Sequence, residues 1–416
     1  MRRVVVTGLG ALTPIGNTVQ EFWDGLSNGV SGAATITNFD PVNHKTKFAC
    51  EVKNFEVTDF INRKDARKMD PFCQFAVVAS DQAINDSGID NLEGLNQDRV
   101  GVIWGAGIGG IQIFQDEVRD YVNNNCIPKF NPFFIPKMIV DIAAGHISMK
   151  YGYRGPNFAT VSACASGTNA IIDSLNYIRW NKADVIVTGG SEAAITEAGI
   201  AGFNAMKALS ERNDSPETAS RPFDKDRDGF IMGEGAGCLV LEELEHAKAR
   251  GATIYAEIVG GGMSADAHHL TAPHPEGLGA RNVMINALDD ANMKPEEVDY
   301  VNVHGTSTPL GDVGEVKAIE AVFGDHAKKI NISSTKSMTG HLLGAAGAIE
   351  SIASVLSIQN NMVPPTINHF TDDDSFDPEL NFTFNKAQEK TVKVALSNTF
   401  GFGGHNASVI FKRFEE

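Results

Sequence analysis

Strand-like and helix-like runs alternate along the whole chain, and the alternation comes in two series. Arg3–Thr7, Val100–Trp104, Asn157–Val161, Asp184–Thr188 and Gly237–Leu241 read as the strands of the first. Thr253–Val259, Asp299–Val303, Ile330–Ser333, Val392–Leu396 and Ala407–Phe411 read as those of the second, and the helical Glu242–Arg250, closed by Gly251, lies between them. Such alternation predicts parallel sheets with helices on their faces. The series also echo each other. Val161-Ser162-Ala163-Cys164, followed by a helix of small residues, is answered by Ser333-Ser334-Thr335-Lys336 and then Gly340-His341-Leu342-Leu343-Gly344-Ala345-Ala346-Gly347. We read a duplicated α/β unit with halves 1–251 and 252–416 and an active site between them, at the strand ends. A chain of 416 residues is more than one core usually serves, which agrees with two halves.

Cys164 sits among residues too small to shield it, in Thr160-Val161-Ser162-Ala163-Cys164-Ala165-Ser166-Gly167-Thr168. Asn157–Val161 has the β-branched content of a buried strand, entered through Gly155-Pro156. After the cysteine, Ile171, Leu175 and Ile178 recur at helical spacing. The spacing predicts a sharp strand-to-helix turn with the thiol near the first helix amides, where unpaired N–H groups favour an anion and lower a thiol pKa. Core packing is the alternative for any cysteine; the small neighbours and the turn favour a nucleophile.

Several chemistries are excluded on the way. The net charge of −17 would repel a phosphate backbone, so nucleic acid is not an expected partner. Cysteines 50, 73, 126, 164 and 238 are odd in number and lack a CxxC pair, which argues against a disulfide framework and a zinc site and fits a reducing cytoplasm. No run approaches ~18 apolar residues, so neither a membrane span nor a signal peptide is expected. Asp224-Lys225-Asp226-Arg227-Asp228-Gly229 copies the start of a calcium loop, yet Gly235 stands where the bidentate Glu is needed. Gly8-Leu9-Gly10 after a strand suggests a dinucleotide site, but Thr13-Pro14-Ile15-Gly16 follows where a helix should open.

Two histidines extend the chemistry. His304 follows an apolar strand in Val303-His304-Gly305-Thr306, and His341 precedes a helix rich in Gly and Ala. Both belong to the second half and are expected at the same rim. A cysteine with two histidines suits acyl transfer: the thiolate takes the acyl group and neutral imidazoles donate to a developing oxyanion. Lys336 lies five residues before His341. Glu350 is the lone carboxylate of the helix 344–358, and with Ile349, Ile352, Ala353 and Leu356 around it the group needs a cationic or hydrogen-bonding partner.

Taken together these motifs resemble the elongating β-ketoacyl-[acyl-carrier-protein] synthases, and most of all type II of bacterial fatty acid synthesis. The resemblance runs over essentially the whole chain. It includes Val6-Thr7-Gly8-Leu9-Gly10, Ser162-Ala163-Cys164-Ala165-Ser166-Gly167, Arg221-Pro222-Phe223-Asp224, Gly233-Glu234-Gly235, His304-Gly305-Thr306-Ser307-Thr308, Lys336-Ser337-Met338-Thr339-Gly340-His341 and Ser397-Asn398-Thr399-Phe400-Gly401-Phe402-Gly403-Gly404. It implies a thiolase-like, layered α/β/α/β/α homodimer in the cytoplasm and a ping-pong decarboxylative condensation of acyl and malonyl carrier-protein thioesters. By resemblance, Cys164 accepts the acyl chain, His304 and His341 assist decarboxylation, and Lys336 and Glu350 support that pair. The amides of Cys164 and Phe402 form the oxyanion hole, with Phe402 and Phe400 at a gate. No cofactor is implied beyond the phosphopantetheine on the acyl-carrier protein, and no metal.

A degradative thiolase would need a second cysteine late in the chain, and none follows Cys238. The initiating synthases carry Asn where this chain has His341, and chain-length factors lack the nucleophile. A polyketide-type ketosynthase is the remaining relative by this reading, and a cysteine hydrolase the rival outside the family. The resemblance places the acyl pocket at Ile108, Phe133 and Phe203, along a dimer interface. For an acidic carrier, Arg63-Lys64-Asp65-Ala66-Arg67-Lys68 offers a local reversal of sign, with Arg63, Lys64, Arg67 and Lys68 on one helical face, Lys64, Arg67 and Lys68 being the docking candidates. The resemblance adds Lys207. The glycines of Gly401-Phe402-Gly403-Gly404 give the loop conformational freedom that a moving Phe402 would require.

Overall fold

The computed structural model describes residues 1–415. The first half supplies β1 (Val4–Leu12), β2 (Val100–Gly105), β3 (Asn157–Thr160), β4 (Val185–Glu192) and β5 (Gly235–Glu243). The second supplies β6 (Ala256–Ala265), β7 (Tyr300–Asn302), β8 (Asn331–Ser333), β9 (Val394–Gly401) and β10 (His405–Lys412). The strands order β3-β2-β4-β5-β1 and β8-β7-β9-β10-β6, the same topology twice. The halves meet where Val4–Val6 of β1 pair antiparallel with Ala256–Ile258 of β6.

Each of the ten strands read from the sequence is present, but the expectation of purely parallel sheets is corrected. In each half β3-β2-β4 or β8-β7-β9 pair in parallel, while β5 or β10 pairs antiparallel with both of its neighbours. The link from β9 to β10 is only Phe402, Gly403 and Gly404, which permits a hairpin and no crossover helix.

The main helices are α1 (Pro71–Ser87), α2 (Ile111–Asn123), α3 (Ser166–Arg179), α4 (Glu197–Ala205), α5 (Leu278–Ala291), α6 (Pro309–Phe323) and α7 (Ala346–Asn360). α3 packs on β2 and β4 of its own half and on β6 and β10 of the other; α7 packs on β9 and β10 and also on β4 and β5. Those two helices are therefore the middle layer. α1 covers the outer face of β1, β4 and β5, and α5, backed by α6, covers β6 and β10, which completes an α/β/α/β/α stack. The middle position explains the composition of α7. Every residue from Ala346 to Ile358 is buried, so apart from Glu350 the helix is apolar or small all round. Its serines return their hydroxyls to the backbone, Ser351 to Gly347 O at 2.7 Å and Ser354 to Glu350 O at 2.8 Å. One apolar core lies between the sheets, with Leu9, Ile171, Leu175, Ile352 and Phe411; others lie under α1 and between α5 and the second half.

Candidate active site

Cys164 follows β3 on a strained turn. Ala163 has φ 51°, in the left-handed region that a β-carbon disfavours. It opens a single 3-10 turn, Ala163–Ala165, that runs straight into α3. Ser166 locks the turn: its Oγ accepts from Ser162 N at 2.9 Å and donates to Ala163 O at 2.7 Å. The end of β9 presses on the same turn. A Cβ on Gly401 would lie 2.7 Å from Ser162 O and 3.1 Å from Cys164 N, so only glycine lets the next residue, Phe402, reach the sulfur. The amides of Phe402 and of Cys164 itself both point at Sγ.

One expectation fails. Burial outweighs the helix end and pushes the Cys164 thiol up to about 12, against the pull of the Lys336 charge and the two amides; the nearby Glu192 adds to the rise. The resting group is a thiol.

The histidines come from the carboxyl ends of β7 and β8. His341 is 3% exposed and its Nε2 lies 3.1 Å from Cys164 Sγ. His304, half-buried, meets the His341 ring edge to face at 5.2 Å between centroids. Burial, with Lys336 adding to it, holds both imidazoles well below the ordinary histidine value, and His341 adds further to His304. The contact to sulfur thus joins a neutral thiol to a neutral imidazole. Lys336 and Glu350 are both buried, and Lys336 Nζ donates to Glu350 Oε1. Burial still pushes the Glu350 carboxyl up to about 7.

Around the sulfur lies a cavity of about 390 Å3 whose wall includes Cys164, His304, His341, Phe203, Phe400 and Phe402. Phe203 packs on Phe402 at 6.2 Å and on Phe230 at 5.5 Å; Phe400 packs on His304 at 5.5 Å. Phe400 is wall, since its place in β9 pairs it with Asn406. Lys207 also lines the cavity. Ile108 and Phe133 do not. They stand 37% and 43% exposed on an apolar face of this single chain.

The basic run is organised differently from the expectation. Its helix is only Arg63–Ala66, with Arg67 as C-cap. A new helix then starts at once, with Asp70 as N-cap and Pro71 at its first turn. Arg63, Lys64 and Arg67 are exposed, whereas Lys68 is held by Asp65 at 2.7 Å.

Among the buried carboxylates that escaped the sequence reading, two hold the loops of the site. Glu315 accepts His304 N and Gly305 N, each at 2.8 Å, and Asn398 Nδ2 at 3.2 Å, and so fixes the backbone that carries His304. Glu192 ends β4 and accepts amides of the 107–109 loop and of Gly344. Each is a lone acid in a run of small or apolar residues, Gly190-Ser191-Glu192-Ala193-Ala194 and Val313-Gly314-Glu315-Val316. The logic that singled out Glu350 would have found both. The Arg221–Phe230 motif serves as a brace: Arg227 pairs with Asp373 at 2.6 Å and Asp312 at 3.5 Å, tying the loop before β5 to α6 and to the 370s.

The sequence description of the β-ketoacyl synthase N-terminal domain matches residues 1–247, and that of its C-terminal domain residues 255–370. The chain belongs to the β-ketoacyl synthase family. This synthase is 51% identical to the 3-oxoacyl-[acyl-carrier-protein] synthase 2 of Synechocystis over 419 positions, covering 100% of this chain and 99% of that one. Its structure matches a β-ketoacyl synthase crystal structure from Burkholderia phymatum with a TM-score of 0.93 at 35% identity, over the full length of both. It also matches a type II polyketide ketosynthase solved with its acyl-carrier protein and bound to the hexaketide, with a TM-score of 0.89 at 33% identity, again over both full lengths. No helix among the described residues of the synthase is long and apolar enough to cross a membrane.

Proposed function

We propose that this protein elongates fatty acyl chains by two carbons, condensing an acyl-[acyl-carrier-protein] with malonyl-[acyl-carrier-protein] through an acyl-Cys164 intermediate. The observation that carries the reading is the convergence on one sulfur of His341 Nε2 at 3.1 Å and of the Phe402 and Cys164 amides. The 51% identity to a 3-oxoacyl-[acyl-carrier-protein] synthase 2, against 33% to a polyketide ketosynthase, favours the fatty acid setting over the polyketide one.

In the first half-reaction the sulfur attacks the acyl thioester carbonyl. The carbonyl oxygen becomes an oxyanion held by the two amides, the carrier's thiol leaves, and the proton lost by Cys164 ends on that thiol. Acylation frees His341 Nε2. In the second, the malonyl thioester loses its carboxylate as CO2, and the electron pair of the broken C–C bond forms an enolate. Neutral imidazoles at His304 and His341 can donate to that enolate oxygen, which imidazolium forms would instead tend to protonate. The carbanion attacks the acyl-Cys164 carbonyl, the oxyanion returns to the amide pair, and the Cys164 thiolate leaves and takes one proton from solvent. Lys336 acts behind the histidines, adding its charge to the burial that keeps both neutral. Phe402, between cavity and turn, is our candidate gate: its side chain must shift for the chain to reach the sulfur, and its amide moves with the loop.

The partners follow the same reading. The substrates bring their own phosphopantetheine, and the synthase needs no further cofactor. Lys207 at the cavity, with Lys64 and Arg67, receives the acidic carrier. Phe114, Val118 and Val122 recur on one exposed stripe of α2, next to exposed Ile127, Phe130 and Ile135. A stripe of that kind is covered in a stable soluble protein, here by a second copy in a cytoplasmic homodimer, which would bring Ile108 and Phe133 to the acyl channel. Intact-protein and peptide mass spectrometry after incubation with an acyl carrier thioester tests the central claim. One acyl adduct on the Cys164 peptide is expected; an adduct on Cys50, Cys73, Cys126 or Cys238 instead overturns it.

A further inference from the structure

The second half contains its own copy of the nucleophile turn. Ala163, at φ 51°, opens the 3-10 turn that leads into α3; Leu343, at φ 48°, opens a 3-10 turn, Leu343–Ala345, that leads into α7. Gly344 stands where the first half has Cys164. The Gly344 amide does not face a substrate: it donates to Glu192 Oε2 at 3.0 Å. The same carboxylate accepts Gly107 N at 2.8 Å, Ile108 N at 3.1 Å and Gly109 N at 3.1 Å. Glu192 is fully buried. Burial raises its pKa and the four amides offset only part of that rise; every partner is a donor, so the geometry is built for the carboxylate form.

The packing around it leaves no slack. A Cβ on Gly107 would lie 2.8 Å from Glu192 Oε2 and 3.1 Å from Ala163 O, and one on Gly344 would lie 2.2 Å from Gly107 N. The Gly107 loop is thus wedged between the carboxylate and the Cys164 turn. We propose that Glu192 is a positioning residue for acyl transfer. Its carboxylate, seated in the unused copy of the anion-binding turn, clamps that turn and the Gly107–Gly109 loop against the Cys164 turn and places a fixed negative charge near the sulfur. The inference rests on the reading of Cys164 as the nucleophile.

The charges facing Cys164 are few. Lys336 is positive and comes from the segment after β8; Glu192 is negative and comes from β4; His341 and His304 are neutral. Removing the negative charge while Lys336 stays must favour the thiolate. Loosening the clamp must at the same time misplace the amides that serve the oxyanion.

The test uses full-length Glu192→Gln and Glu192→Asp, with folding checked by circular dichroism. The rate of Cys164 alkylation by iodoacetamide is followed against pH, and the condensation kinetics are measured alongside. For Glu192→Gln the alkylation midpoint should fall by about one pH unit or more, which is about a tenfold faster reaction below the midpoint. Its kcat should drop about tenfold or more, with KM for the carrier substrate unchanged. Glu192→Asp keeps the charge and should hold the midpoint at the wild-type value. A wild-type midpoint in folded Glu192→Gln overturns the proposal. Should Glu192→Gln fail to fold, Gly107→Ala decides: it drives a methyl into the clamp and leaves the charge, so a fall in kcat at an unmoved midpoint is expected, and wild-type kcat overturns the clamp. Absence of any acyl adduct or alkylation at Cys164 in the wild type would instead refute the nucleophile reading itself.

Discussion

Lys336→Met removes the ammonium behind the histidines while keeping an unbranched apolar stem of similar reach. Glu350 is then left buried with nothing to bind: Oε1 loses its partner, and Oε2 has none among the described residues to begin with. Deleting one member of a buried pair costs about 3–5 kcal/mol. At about 2.1 cal/mol/K per residue, a chain of 416 residues has an unfolding entropy near 0.9 kcal/mol/K, so the loss lowers Tm by about 3–6 °C. The pH dependence carries the sign. The Glu350 carboxyl already stands at about 7 with the cation beside it, and without Lys336 it must rise further. A carboxyl whose folded pKa is raised disfavours the folded state when ionised. Relative to wild type, the deficit from this carboxyl is therefore complete above the variant's raised value, shrinks as pH falls through it, and is gone well below about 7, where the carboxyl is protonated in both folded proteins. Thermal melts of wild type and variant at roughly pH 8 and pH 5.5, either side of the raised carboxyl, measure the difference. Lys336→Met/Glu350→Leu should recover most of the lost stability, because a buried pair replaced by apolar groups is close to neutral. It should not recover condensation, since Lys336 also helps to hold His304 and His341 unprotonated. An equal deficit at both pH values, or a double variant no more stable than the single, would refute the argument.

Further expectations concern the individual steps. His304→Ala or His341→Ala should lose condensation by about 10²-fold or more, the scale of a lost oxyanion donor, while acylation of Cys164 persists in mass spectra; wild-type turnover in both would make the pair structural. Lys64→Glu/Arg67→Glu and, separately, Lys207→Glu should raise KM for acyl-carrier substrates and leave it unchanged for a small acyl thioester, and an equal effect on both substrates excludes docking. Ile108→Phe should shorten the longest primer accepted, by filling volume at the channel; unchanged long-chain activity in a folded variant would place the channel elsewhere.

What could be read from the sequence, and what could not, divides along physical lines. All ten strands were legible because burial writes itself into apolar runs, but strand direction is set by connections, and a run such as Val392–Leu396 does not show that Phe402–Gly404 closes a hairpin after it. The Cys164 turn was legible from its small residues and the helical spacing beyond it. Its thiol pKa was not, because desolvation depends on what covers the sulfur. The covers are His341 and Phe402, more than 170 residues away in the chain. The basic run failed for a local reason: Asp70-Pro71 restarts the helix and cuts the expected face short, while Asp65 takes up Lys68.

The duplicated architecture explains where the chemistry could settle. Both halves place a left-handed residue and a 3-10 turn before a central helix, so each builds an amide nest able to hold a negative oxygen. One nest carries the cysteine and receives Phe402 from the opposite half; the other carries Gly344 and is filled by Glu192. A second empty nest in the interior would leave buried donors unpaired, at a cost of about 1–3 kcal/mol each. Filling it with a carboxylate removes that cost and puts a fixed negative charge beside the working sulfur. The second half supplies the groups that the first lacks: His304, His341 and Lys336 all lie in it, and so does the glycine loop whose Phe402 amide reaches the sulfur. The proposed acylation and condensation need both halves, because the sulfur and its own amide belong to one, and the two imidazoles and the Phe402 amide to the other.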